Sequence, residues 1–145
     1  MVSPPAASYK DNLQKQFKNL HLDNPVKMAF SARQGVAAVL FYSFAQSIKM
    51  PEKTLAQLLH THPRTISNYR EQQKSLNPIE SEHLLKLIAL FTKGEEVFGN
   101  VDEFNYWLQK PFWDGNEKPI DWLVTPGGVD LVGDELSRLA HGYAV

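Results

Sequence analysis

The sequence predicts an all-α protein, built as a helix-turn-helix unit followed by a small helical module. Three observations carry this. Apolar residues recur at three- and four-residue spacings along most of the 145 residues, and no stretch alternates apolar and polar side chains for long enough to make a strand. Residues 51–74 hold two short helical segments either side of a tight turn. The charge divides sharply: residues 1–78 carry ten Lys and Arg against four Asp and Glu, a formal +6, whereas residues 79–145 carry five against twelve, a formal −7. Halves of opposite charge suggest two partners of opposite charge, one of them nucleic acid.

Composition sets outer limits. A hydrophobic content of 43% is enough for a real core. The absence of cysteine excludes disulfides and thiolate metal sites and suits a reducing cytosol. Residues 1–8 lack the basic flank and apolar run of a signal peptide. The longest apolar stretch, residues 35–45, falls well short of the roughly 20 residues a membrane span needs. A soluble, cytoplasmic protein with no membrane association is expected.

In chain order, residues 1–8 read as a frayed arm. Residues 9–21 read as a helix with Leu13, Phe17 and Leu20 on one side, and residues 22–25 as a turn. The next helix is predicted over 32–49, where Val36, Val39, Leu40, Phe41 and Phe44 cover more than one face. Such a helix must be buried on several sides, by the rest of the chain or by a second subunit. The expectation is a homodimer whose contacts come from residues 1–50.

Residues 51–76 form the expected helix-turn-helix, within a DNA-binding domain of about 32–96. The first helix supplies Leu55, Leu58 and Leu59, with small Ala56 at the crossing. The second supplies Ile66 and Tyr69, which pack back on it. Pro63 suits the first turn of the second helix, with Thr61 or His62 as its cap. If Ile66 and Tyr69 face inward, Arg64, Ser67, Asn68 and Glu71 face outward. Arg and Asn make bidentate bonds to guanine and adenine edges, and flanking cations neutralise phosphates. The expected DNA-binding residues are therefore Arg64, Thr65, Ser67, Asn68, Arg70 and Lys74. His60 occupies the turn position that glycine commonly fills, so the turn must use a non-glycine conformation or the first helix must run longer.

Asn77-Pro78-Ile79-Glu80 opens a long helix with a capping box, and Leu84, Leu87, Ile88 and Phe91 line its apolar stripe. Shorter helices are predicted over 102–109, 119–123 and 129–140, the last ending at Gly142. Catalysis finds no support. Thr125-Pro126-Gly127-Gly128 lacks the lysine and strand of a phosphate loop, and His60-x-His62 is too close and solitary for a metal site. Glu95 and Glu96 read most simply as a solvated helix end. No enzymatic activity, cofactor or metal is expected.

From Leu76 onward the sequence resembles the Xre/MbcA/ParS family of antitoxins. Leu76, Glu80-Ser81 and Leu84 to Leu87 resemble its leucine-rich linking helix, and Val97-Phe98-Gly99 its Val-Phe-Gly corner. Trp107-Leu108 with Pro111 resembles Trp-Leu-x-x-Pro. Pro119 to Leu123 with Thr125 and Gly128 resembles Pro-x-x-Leu-Leu-x-Thr-x-x-Gly. Val132, Leu136, Arg138 and Gly142 resemble its closing helix, and Arg64-Thr65-Ile66 fits its helix-turn-helix. The likeness covers residues 51–145. It departs from the family at 112–116, where a Leu-Gly-Gly is usual, and at His83, where a basic residue is common.

The resemblance implies an antitoxin of a type II pair. Residues 97–145 would bind and neutralise a RES-domain toxin that consumes NAD, while the helix-turn-helix binds operator DNA and represses the operon. It further implies that Arg138, His141, Tyr143, Ala144 and Val145 enter or cover the toxin's NAD pocket. Trp113, placed on a loop, is the expected exposed anchor beside them. Without a toxin partner, the same residues describe a stand-alone helix-turn-helix transcription regulator.

Overall fold

The first two α-helices each begin at an Asn whose side chain caps the first turn. In the computed structural model, which describes residues 12–111 and 115–142, Asn12 accepts a bond from the Lys15 N–H and opens α1, Leu13–Gln16. A 3-10 turn follows at Lys18–Leu20. The helix expected over 9–21 is thus two short turns, and residues 9–11 lie outside the described residues. Glu95, far along the chain, accepts the Leu13 N–H at 2.8 Å and fastens this segment to the long helix.

Asn24 accepts the Lys27 N–H and Pro25 takes the first helical position, so α2 spans Pro25–Gln34. The turn expected at 22–25 therefore leads into a helix that sequence reading began seven residues late. The single helix expected over 32–49 is also two. Gly35 ends α2 at φ 90°, and α3 runs Ala38–Ser47. A Cβ on Gly35 would stand 2.6 Å from the Leu76 carbonyl oxygen. Glycine is needed there both for the backbone turn and for the approach of the segment that follows the helix-turn-helix. The Leu76 N–H bonds the Val36 carbonyl at 2.9 Å beside an isolated bridge between Ala37 and Ser75.

The helix-turn-helix pair is α4, Glu52–Leu58, and α5, Pro63–Glu71. Helix α6, Pro78–Phe98, carries the predicted capping box: Asn77 accepts the Glu80 N–H at 2.7 Å, and Glu80 accepts the Asn77 N–H. Helix α7, Val101–Leu108, is capped by Asn100. A 3-10 helix at Pro119–Val124 leads into α8, Pro126–Ala140. Helix α8 starts three residues earlier than its apolar pattern suggested, because Thr125 caps it and Pro126 opens it. Among the described residues the protein is all-α, helix-turn-helix helices followed by a further helical module, with no sheet.

One core runs through both parts. Phe17 meets Phe44 edge-on at 6.2 Å, Phe44 meets Phe91 at 5.5 Å, and Phe91 meets Phe104 at 5.0 Å. This aromatic chain passes from α1 through α3 and α6 to α7, and edge-on pairs contribute beyond their buried area. Phe41, Phe44, Ala45 and Ile48 are buried within the chain itself, which leaves Val39 as the exposed apolar side chain of α3. Among the described residues no helix is long and apolar enough to cross a membrane.

Candidate nucleic-acid interface

Leu55, Ala56, Leu58 and Leu59 of the first helix and Ile66 of the second are buried, with Tyr69 half-buried behind them. This fixes the face of α5 that turns inward. Arg64, Asn68 and Glu71 are exposed, and Thr65 and Ser67 are partly so. The outward face thus carries the side chains that the helical wheel assigned to it. His62 is the cap residue in extended conformation, although its side chain makes no capping bond. The helix ends where Gln73 turns left-handed at φ 56° and the Lys74 N–H returns to the Tyr69 carbonyl at 2.8 Å. Lys74 therefore lies beyond the helix, exposed on the turn that follows it.

Arg70 is held differently from the other five expected contacts. Its guanidinium carbon lies 4.2 Å over the ring of Tyr42 on α3, so a second helix orients it. Tyr42 was not singled out from sequence, because an aromatic residue inside an apolar helix reads as core. The signal available was the tyrosine itself, whose polar tip favours a half-buried position.

Contrary to expectation, the turn keeps the left-handed conformation that glycine favours, and a histidine adopts it; the first helix does not run longer. His60 sits at φ 60°, and the Thr61 N–H returns to the Ala56 carbonyl at 2.9 Å. The His60 side chain leaves the helix-turn-helix altogether, and its Nε2 donates to the Val124 carbonyl at 2.7 Å. Buried His83 of α6 donates to the neighbouring Leu123 carbonyl at 2.8 Å, with the two imidazoles 6.5 Å apart. Burial pushes the His83 imidazole below its ordinary value, against the opposing effect of its bond to Leu123. Both histidines thus hold the last two carbonyls of the 3-10 helix. That segment is itself fixed: the Gly128 N–H bonds Thr125 Oγ1 at 3.0 Å, and a Cβ at Gly128 would overlap the Trp122 carbonyl.

In the C-terminal module, Val129, Val132 and Leu136 bury the inner face of α8, and Leu123 is buried beside them. Trp107 and Trp122 pack, partly buried, against the core. Lys86 pairs with Asp130 at 2.8 Å, while Lys93 reaches the Gly133 carbonyl at 3.2 Å and the Ser137 hydroxyl. Two α6 lysines thus moor α8. Arg138, exposed, lies 3.7 Å from Glu135, and exposed His141 precedes Gly142 at φ 68°. Trp113, Tyr143, Ala144 and Val145 lie outside the described residues. Among the described residues, no three His, Asp or Glu side chains converge as a metal site.

Residues 28–89 match the antitoxin Xre-like helix-turn-helix domain, and residues 93–142 match the antitoxin Xre/MbcA/ParS C-terminal toxin-binding domain. The chain has the domain architecture of the Xre-like antitoxin family. Antitoxin Xre of Pseudomonas putida is 29% identical over 87 residues, which cover 57% of this chain and 52% of the relative. The matched part thus spans about half the length of that curated relative. His60 and His83 lie in the stretch that matches the helix-turn-helix model, and Leu123 and Val124 in the stretch that matches the C-terminal toxin-binding model. The two histidine bonds therefore join one domain to the other.

Proposed function

We propose that this chain is the antitoxin of a type II toxin–antitoxin pair. Its C-terminal module neutralises a RES-domain toxin that consumes NAD, and α5 binds operator DNA to repress the operon. The observation that supports this most is the order of the two matched domains, a helix-turn-helix followed by a toxin-binding domain. Physical chemistry agrees with both halves. Arg64, Ser67 and Asn68 meet base edges, while Arg70 and Lys74 meet phosphates. Helix α8 carries Asp130, Asp134 and Glu135 against Arg138, an acidic balance that Lys86 partly offsets through Asp130 and that would complement a basic, anion-binding cleft.

Operator recognition includes a homodimer that presents two α5 helices to a two-fold site. Because the chain's own core covers most of α3, the apolar surface left for a second copy is smaller than its sequence suggested. Val26 and Phe30 on α2 are 79% and 50% exposed, and Val39 on α3 is 58% exposed. Light scattering should give twice the chain's mass; a monomer at micromolar concentration would contradict the dimer.

Co-expression with the product of the adjacent gene tests the pairing. The expected result is a complex that co-purifies and whose NAD consumption is suppressed. A chain that binds its upstream DNA yet captures no neighbour product would instead be a stand-alone regulator.

A further inference from the structure

Three cation–ring contacts occur among the described residues, and two of them follow from local helix geometry. Arg33 over Phe30, at 5.5 Å, is an i, i+3 pair within α2, and Lys110 over Tyr106, at 4.4 Å, is an i, i+4 pair at the end of α7. Arg70 over Tyr42 is of another kind, because it joins α5 to α3 across 28 positions of sequence. It is also shorter than either, at 4.2 Å.

Both partners are constrained on one side only. Tyr42 stands edge-on to fully buried Phe41, with ring centroids 5.3 Å apart, and packs partly buried against the core. Arg70 is exposed and lies within 4.0 Å of no carboxylate among the described residues. It follows buried Ile66 by four positions, so it leaves α5 on the side next to α3, away from the outward face of Arg64 and Asn68. A guanidinium held over a ring still offers N–H donors to a planar bidentate acceptor.

We propose that Tyr42 is a positioning residue for DNA binding. It holds the Arg70 guanidinium at the edge of the recognition helix, where a backbone phosphate of duplex DNA receives two parallel bonds. An unstacked arginine would lose more side-chain freedom on reaching that phosphate, so the stack raises affinity by ordering Arg70 beforehand. The contact lies on the flank of α5, so it strengthens binding to every sequence and adds no base preference. This rests on the reading of α5 as the DNA-binding helix.

The test is fluorescence anisotropy of the full chain on duplex DNA from its own upstream region and on a random duplex, across about 50 to 200 mM salt. Tyr42→Phe keeps the ring and should bind as the parent does. Tyr42→Leu should weaken binding to both duplexes about 2- to 5-fold, the range of an exposed cation–ring contact. Arg70→Ala should weaken binding to both and lower the salt slope by about one. In the Arg70→Ala background, Tyr42→Leu should have no further effect. Arg70→Lys, a surface change that leaves the core intact, should keep the salt slope yet lose the same few-fold affinity as Tyr42→Leu. Two results would overturn the positioning role: parental affinity for both Tyr42→Leu and Arg70→Lys, or equal losses from Tyr42→Leu with and without Arg70. No binding by the parent chain at low salt would instead remove the DNA-binding reading itself, and the role of Tyr42 with it.

Discussion

His60 in the turn of the helix-turn-helix donates its Nε2 proton to the carbonyl of Val124, 2.7 Å away in the C-terminal module. The position that glycine commonly fills in such turns is thus occupied by a residue that accepts a left-handed backbone, at φ 60°, and uses its side chain to bridge two domains. His83 doubles the bridge at the adjacent carbonyl. With the aromatic chain from Phe17 to Phe104, these bonds make the DNA-binding and C-terminal parts a single packed body.

Two substitutions at His60 separate its backbone role from its side-chain role. His60→Ala loses a bond worth about 0.5–1.5 kcal/mol and keeps a left-handed conformation that alanine tolerates poorly. His60→Gly loses the same bond but relieves the backbone by about 1 kcal/mol. His60 bears the same left-handed strain as alanine, so urea denaturation should place the alanine variant below the parent by the lost bond alone, about 0.5–1.5 kcal/mol, and the glycine variant close to the parent. Equal stability of the two variants would mean that the turn carries no left-handed strain.

His83 makes stability depend on pH. Its folded value lies below its ordinary 6.5, chiefly through burial, so the unfolded chain takes up the proton first as pH falls. The stability that neutral His83 contributes is present above pH 6.5 and is lost as pH drops from there through the lower folded value. Nearby His60 and Lys86 reinforce the shift, and Glu82 opposes it. His83→Gln keeps an N–H donor for the Leu123 carbonyl but cannot titrate. Its melting temperature should fall less than the parent's between neutral and mildly acidic pH. Parallel curves for the two proteins would refute this.

Much of the fold was legible in the sequence where one local device decided an element. Asn77, Pro78 and Glu80 marked the start of α6, and the Leu55 to Tyr69 pattern set the inward face of the helix-turn-helix. Boundaries were missed where apolar spacing masked them. Gly35 stands at the head of the apolar run 35–45, where helical spacing masked its stop signal, and the close approach of the Leu76 carbonyl adds a tertiary reason that the sequence does not show. The capping roles of Asn24 and Thr125 were local and readable, but apolar spacing drew the starts of α2 and α8 further along. In the candidate site, the outward positions of Arg64 and Asn68 followed from helical geometry alone. The hold of Tyr42 on Arg70 and of His60 on Val124 did not, since both join residues distant in sequence.

The last residues supply a third prediction. The inner face of α8 is buried through Val129, Val132 and Leu136, so the module is anchored before Gly142 turns the backbone left-handed. Deletion of residues 141–145 should leave melting temperature and DNA affinity near parental values while weakening inhibition of the NAD-consuming toxin proposed as its partner. Equal inhibition by both proteins would place the inhibitory contact elsewhere in the module.

DNA binding through α5 is tested most directly by titrating the full chain and its Arg64→Ala variant against the DNA upstream of its own gene. Arg64 is exposed on the outward face and makes no contribution to the buried core, so the variant should fold as the parent does. The parent should bind with an affinity that falls steeply with salt. The variant should bind about 1–3 kcal/mol more weakly and lose its preference at one base pair. Absence of binding at low salt, or equal affinity of parent and variant, would contradict a DNA-reading role for this helix.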